Sequence, residues 1–322
     1  MATVDILLAT YNGARYLPEL LESLALQSHR DWRLIVRDDG SSDGSLELIQ
    51  KWAEDTPQEI EVLSDGDRGL GAGGNFARLL CASHSPYFAF CDQDDIWLPD
   101  KVSRLLEETV RAEREIGSDV PILTHCDLTV VGESLEVLHP SFWEQQGFTV
   151  RGLRRGAGAL SVRKSLVMRN FVTGCAMMGN ARLRALSDPV PPDCVMHDWW
   201  VALVAGFLGE IRTVDAPCIL YRQHGSNALG AKDWSYLSVL RRVLARPGAA
   251  LERTRTWLSA SRRQVDCLLS RCRSELSPVE IAYLEDYTRR HARNLLSRKT
   301  FLLRHRVWPQ SSVRALIMVV FM

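Results

Sequence analysis

No two of the eight cysteines in this sequence, at positions 81, 91, 126, 175, 194, 218, 267 and 272, form a CxxC pair. Several lie inside apolar runs, so they read as small core residues of a reducing compartment and not as a disulfide framework. There is also no run of about 20 apolar residues, so no membrane-spanning helix is predicted. The start, MATVDILLATYNG, lacks a basic stretch and a cleavage site, which argues against a secretory leader. Internal repeats and low-complexity segments are missing too. Net charge is absent: 39 Lys and Arg balance 39 Asp and Glu over 322 residues. With 46% apolar and 24% charged residues, what remains is a soluble globular chain, long enough for one large domain with an appendage or for two domains.

The zero charge conceals a split. Up to Ala231 there are 21 Lys and Arg against 32 Asp and Glu, a net of −11; from Lys232 onward the counts are 18 and 7, a net of +11. Two regions with different partners are expected, residues 1–230 and a basic helical region over 231–322.

In the first region short apolar runs alternate with helical patterns. Val4–Ala9, Arg33–Val36, Ile60–Leu63, Tyr87–Cys91 and Pro121–Val131 read as strands. Helices are predicted over Ala14–Leu26, Ser45–Ala53 and Asn75–Cys81, with a long charged one opening at Pro99. Strands separated in this way imply an α/β fold, a mostly parallel sheet with helices on both faces. Ligands of such sheets bind outside the carboxyl ends of the strands. The polar clusters Thr10-Tyr11-Asn12-Gly13, Asp38-Asp39-Gly40-Ser41 and Asp92-Gln93-Asp94-Asp95 all follow strands, so one crevice can collect them. Residues 139–172, basic and glycine-containing (Gly152, Gly156, Gly158), read as a mobile loop beside it, and a strand pair is predicted around Glu210–Tyr221.

Three carboxylates within four residues repel one another unless a positive object sits among them. A hard divalent ion, Mg²⁺ or Mn²⁺, is the simplest candidate, and a solvated acidic turn is the plain alternative. The calcium-loop frame does not fit, because its glycine and its distant glutamate are missing. Thr10, Tyr11 and Asn12 with Asp39 can line a base pocket or form two capping turns. The stretch 69-GLGAGG-74 matches a dinucleotide fingerprint, but Ser64 to Arg68 separate it from the preceding strand, so it reads as a loop near a ligand or a structural loop. His197-Asp198-Trp199-Trp200 opens a helix. Asp198 is either a general base facing the crevice or a helix-start residue, and the tryptophans are either a sugar platform or core. His197 is a second candidate for proton transfer. His224, in a polar turn after a strand, supplies a nitrogen ligand if it joins the aspartates.

In order, TYNG, RDDGSSDGS, CDQDDIWLPDK, TGCAMM, HDWW and YRQHGSN resemble the family 2 glycosyltransferases, inverting enzymes of GT-A fold, and within them the bacterial rhamnosyltransferase-like branch. The resemblance covers roughly residues 3–228. It implies that Asp39 contacts the nucleotide base, with Thr10, Tyr11 and Asn12 in the same pocket. Asp92 and Asp94 are similar to the ends of the family's Asp-x-Asp motif, Asp94 on the metal and Asp92 toward the ribose or the metal's water shell. His224 would close on the metal, Asp198 would be the catalytic base, and Gly174 and Cys175 would lie beside donor or acceptor with Asp95, Trp199 and Trp200.

The expected activity is metal-dependent inverting transfer of a sugar, rhamnose from dTDP-rhamnose, to a lipid-linked or oligosaccharide acceptor of surface-polysaccharide or O-antigen type. A UDP-sugar donor and a non-catalytic nucleotide-sugar binding protein are the alternatives. A sugar-nucleotide pyrophosphorylase would carry a glycine-rich basic loop after the first strand, and TYNGARYL is not one. Arginine pairs at 241–242, 262–263 and 289–290, with the short apolar run 316-LIMVVFM-322, suggest peripheral contact with the inner face of the plasma membrane by a cytoplasmic protein. Docking against the acidic region or a homo-oligomer interface would use the same charge. No nucleic-acid module is recognisable.

Overall fold

The computed structural model describes residues 3–148, 164–225, 247–291, 300–301 and 304. Its centre is one sheet in the order β3-β2-β1-β4-β8-β6-β9-β5, with β7 paired to β6. The first strands are β1 (Val4–Thr10), β2 (Trp32–Asp38), β3 (Ile60–Val62) and β4 (Tyr87–Asp92). These run parallel, joined by α1 (Leu17–Ala25), α2 (Ser45–Asp55) and α3 (Gly71–Ala82). Then come β5 (Ile96–Trp97), α4 (Lys101–Ile116), β6 (Ile122–Val131), β7 (Val137–His139) and α5 (Phe142–Gln145). A 3₁₀ turn at Gly174–Ala176 leads into β8 (Met177–Asn180), α6 (Ala181–Ser187), α7 (His197–Leu208) and β9 (Glu210–Arg222). Two further helices follow, α8 (Pro247–Cys272) and α9 (Pro278–His291).

The period-two alternation of strand side chains sorts the core into two layers. In β1, Val4, Ile6 and Leu8 pack on one face with Leu17, Leu20, Leu21 and Leu24 of α1 and Val102, Leu105 and Leu106 of α4. Leu7 points to the other face, where it joins Phe88 and Phe90 of β4 and Phe76, Leu79 and Leu80 of α3. Strands buried on both faces read as continuous apolar runs, which is why these were legible in the sequence. Each fully buried Leu, Ile or Phe contributes about 1.5–3 kcal/mol.

Helix α7 is buried all round from Trp199 to Phe207. Such a helix needs cover on two sides. The sheet supplies one; α8 and α9 supply the other through Leu258, Val265, Leu268, Tyr283, Leu284 and Tyr287, all in the same apolar cluster. Trp257 stacks on Trp199 with ring centres 5.6 Å apart, and the Tyr283 hydroxyl donates to Lys164 O at 2.8 Å. Val195 N donates to Gln264 Oε1 at 3.3 Å. The described part of the C-terminal region is therefore packed into the core of the first region.

Two expectations change. The strand pair around Glu210–Tyr221 is one strand, β9, whose register against β6 shifts at Cys126/Asp127 and Asp127/Thr129 and which pairs β5 on its other side. Within 139–172, Phe142–Gln145 is a helix capped by Ser141, and Leu166, Val167 and Met168 are core residues. The glycines at 152, 156 and 158, the boundary near 230, the pair at 241–242 and the run 316–322 lie outside the described residues.

Candidate active site

Register brings the polar clusters together. Thr10 is the partner of Asp38, and Ala9 of Asp92, so β1, β2 and β4 end side by side at one rim of the sheet. The Asn12 N–H donates to Ser41 Oγ and the Ser42 N–H to Asn12 Oδ1, at 2.8 and 2.9 Å, which ties the first cluster to the second. Asn12 takes a left-handed conformation (φ 48°), a region that Asn visits more readily than most residues. Tyr11 is left 56% exposed, a large ring held out at the rim.

Asp39 is 5% exposed, and its carboxylate is already engaged. It accepts the Leu70 and Gly71 N–H groups at 2.9 and 2.8 Å and pairs with the buried Arg37 at 3.3 Å. Those two N–H groups open α3, where backbone donors are unpaired and the dipole favours an anion. The glycine stretch thus wraps around a carboxylate of the chain itself, and Gly69 and Gly71, both at φ 69°, supply the backbone this needs. Arg37 is locked in turn by Asp65 at 2.9 Å and by Asn75.

The Asp92–Asp95 loop holds two donor sets. On the open side the Asp94 carboxylate meets His224 Nε2 at 2.8 Å. His224 stacks on Tyr16, with ring centres 4.6 Å apart. On the inner side, ligand atoms of Asp92, Asp95 and Cys175 all lie within 4.8 Å of one another. Asp95 is buried, with Arg222 N donating to Oδ1 at 3.1 Å and Oδ2 without a hydrogen-bond partner among the described residues. Burial, the neighbouring Asp94 and then Asp198 push the Asp92 carboxyl up to about 7.

Two cations missed in the sequence reading share this loop. Lys101 is fully buried, its ammonium 2.8 Å from the centre of the Trp97 ring and 2.6 Å from Cys175 O. Burial lowers its pKa to about 8, opposed by the thiols around it and by Asp95. Arg222 is 3% exposed and reaches Asp94 O and Glu133 O at 2.9 Å and the Glu19 carboxylate. The positive charge that three adjacent aspartates demand is thus partly built into the chain. The only local signal for Lys101 was its place at the start of a charged helix, where a lysine normally faces solvent.

A divalent ion fits the outer set. Asp94 and His224 meet at 2.8 Å, and carboxylate oxygen with one imidazole suits Mg²⁺ or Mn²⁺; the described residues that bring three possible ligand atoms within 4.8 Å of one another are Asp92, Asp95 and Cys175. The inner set has a soft thiol and the Lys101 charge nearby, so it suits a hard cation less well.

Asp198 opens α7 on the far wall. Its oxygens accept Gly174 N at 3.1 Å and Trp199 N at 2.6 Å. Burial raises its pKa to about 7, opposed by those backbone bonds. A side chain at Gly174 would meet His197 Nε2 at 3.0 Å and Asp198 Cβ at 3.3 Å, so the small residue lets the turn approach the aspartate. His197 itself is buried between Phe76 and Phe90, and burial drops its pKa to about 3. Trp199 and Trp200 require a correction. They are 3% and 0% exposed and donate their ring N–H to Leu166 O and Ser187 O, so they are core residues with no face for a sugar. Cys175 is buried behind the loop as well.

Residues 5–128 match the model described as Glycosyl transferase family 2. Over this segment the chain is similar to the family 2 glycosyltransferases. An uncharacterized glycosyltransferase of Nostoc sp. is 26% identical over 231 residues, 70% of this chain and 66% of that protein. The dTDP-rhamnosyl transferase RfbG of Shigella flexneri is 28% identical over 228 residues, 70% of this chain and 74% of its own. This chain therefore spans slightly less than two thirds of the Nostoc protein. Among solved structures, S. aureus TarS superposes with a TM-score of 0.54 at 15% identity over 90% of this chain and 43% of TarS. TarS 1-349 in complex with UDP-GlcNAc gives 0.51 at 15% identity, covering 96% and 93%. These likenesses establish the GT-A-type fold. Among the described residues no helix is long and apolar enough to cross a membrane.

Proposed function

We propose that this family 2 glycosyltransferase moves a sugar from a nucleoside diphosphate donor to an acceptor hydroxyl with inversion. The observation that carries the reading is the meeting, at one rim, of an exposed aromatic, the Asp92–Asp94 loop and a basic Asp198. Asp198 accepts Gly174 N, and the adjacent Cys175 thiol lies within 4.8 Å of the Asp92 and Asp95 ligand atoms, so acid–base and diphosphate ends share one crevice. Thr10, Tyr11 and Asn12 form the base end, with Asp39 shaping it from behind through Arg37, Leu70 and Gly71. Asp92, Asp94 and His224 would hold Mg²⁺ or Mn²⁺, which when bound supplies Lewis-acid stabilisation of the leaving diphosphate. Asp198, its pKa near neutrality, accepts the proton of the attacking hydroxyl; such a base contributes about 10²–10⁴-fold. Gly174 keeps the wall beside Asp198 open.

The rhamnosyl name of a 28% identical relative favours dTDP-rhamnose as the donor, with a UDP-sugar as the second choice. An acceptor of surface-polysaccharide or O-antigen type, lipid-linked or oligosaccharide, follows from the same likeness. The +11 charge of residues 232–322 favours contact with an anionic membrane face. Calorimetric titration with dTDP and UDP, in Mn²⁺ or EDTA, tests the donor site. Binding that needs Mn²⁺ and is lost in Asp94→Ala is expected; no binding of either nucleotide in any metal condition rejects the reading.

A further inference from the structure

The middle residue of the Asp92-Gln93-Asp94 stretch points away from the carboxylates and into the first strand's loop. Gln93 Oε1 accepts the Thr10 hydroxyl and the Tyr11 N–H, both at 2.8 Å, and Nε2 donates to Tyr11 O at 3.0 Å. Its carboxamide therefore pairs with both backbone groups of Tyr11, as a neighbouring strand would. No strand neighbour is available there, since β1 ends at Thr10. Gly13 is fitted to the same contact, because a Cβ at that position would collide with Gln93 Oε1. On its other side the loop is held through Asn12 by Ser41 and Ser42. The Tyr11 ring itself is exposed, so its direction rests on this backbone clamp.

We infer that Gln93 is a positioning residue that presents the Tyr11 ring to the nucleobase from the loop that carries the diphosphate end. The inference rests on the donor site proposed above. It assigns the residue between the two aspartates a part in base affinity and none in diphosphate affinity. A residue that only maintained the fold would affect both ends together.

The test compares dTDP and UDP with inorganic diphosphate, all in Mn²⁺, on the wild type, Gln93→Ala, Tyr11→Ala and the double variant. Gln93→Ala should weaken nucleotide binding about tenfold, about 1.4 kcal/mol, and leave inorganic diphosphate within about twofold. The double variant should be no weaker than Tyr11→Ala alone, because the two residues act as one unit. Gln93→Met, uncharged and similar in length, removes the same hydrogen bonds and is the second variant if Gln93→Ala folds poorly, with the same selective loss of nucleotide binding expected. Equal weakening of nucleotide and diphosphate, unchanged nucleotide binding, or additive losses in the double variant would each overturn the role of Gln93. A wild type that binds neither nucleotide but binds inorganic diphosphate would reject the base site, and this inference with it.

Discussion

Asp198 and His197 are adjacent in sequence and opposite in environment. Asp198 accepts two backbone N–H groups and is raised to about 7, while His197 is enclosed by phenyl rings and falls to about 3. At neutral pH the histidine is uncharged and the aspartate is near its midpoint. Turnover should therefore rise with pH through an inflection near 7 as Asp198 loses its proton. Asp198→Asn should lower kcat by about 10²–10⁴-fold while donor nucleotide still binds. His197→Phe should leave the inflection where it is; its displacement by one pH unit or more would transfer the base role to His197. Both were candidates for proton transfer in the sequence, and it is burial that sets their charges apart.

At the scale of elements, β9 delivers Arg222 and then His224 to the Asp94 loop. Arg222→Met keeps much of the buried volume but removes the bonds to Asp94 O, Glu133 O and Glu19. Mn²⁺ affinity, read by nucleotide titration at several Mn²⁺ concentrations, should fall. Fully retained affinity would mean that Asp94 is held by its own turn. Helix α7 makes the second case. It is roofed by α8 and α9, so Leu268→Ala should cost about 2–5 kcal/mol, read as a lower denaturation midpoint. A change below about 0.5 kcal/mol, the size of an ordinary surface substitution, would mean that the helices are a separable appendage. This packing also bears on how membrane contact is measured. Deleting residues 232–322 would strip the roof from α7, so loss of vesicle flotation in that variant would report unfolding. Salt sensitivity is the cleaner readout. Flotation of the whole chain with anionic vesicles should disappear as salt is raised toward about 1 M, where the screening length is about 3 Å. Flotation that persists there would point to apolar insertion.

At the scale of the whole molecule, the sheet has one chemical end and one structural end. At the structural end Asp5 is buried and accepts Arg33 through two bonds of 3.0 and 3.1 Å, with Ser83, His84 and Ser85 completing its shell. Burial alone would raise its pKa, but Arg33 and the serines hold it well below the usual carboxylate range. A depressed carboxylate contributes stability that is present above the unfolded pKa, about 3.9, and is lost as pH falls below it. Asp5→Asn should therefore destabilise the protein by about 3–5 kcal/mol at neutral pH and flatten its acid sensitivity below pH 4, both read in thermal melts across pH. The chemical end works in the other direction. Asp92 and Asp198 are both raised to about 7, so the metal-free protein should lose stability as pH rises from about 4 through 7.

The α/β class, the strand-end clusters and the resemblance to the family 2 glycosyltransferases were all legible in the order of residues. Buried parallel strands must be apolar, and the loops that follow them are free to carry polar residues. The sequence also singled out Asp94, Asp198 and His224 as candidates, because their types and order resemble a known chemistry. What surrounds them came from packing between distant parts of the chain. Trp199 and Trp200 pattern equally well as a sugar platform or as core, and it was the packing of α8 and α9 that enclosed them. Lys101 reads as a solvated helix residue until Trp97 and the turn carrying Cys175 close over it, and the turn of β9 sends Arg222 back across more than a hundred residues to Asp94. Local spacing records which groups can do chemistry. Burial and long-range contacts set their charge, and those depend on elements far apart in the chain.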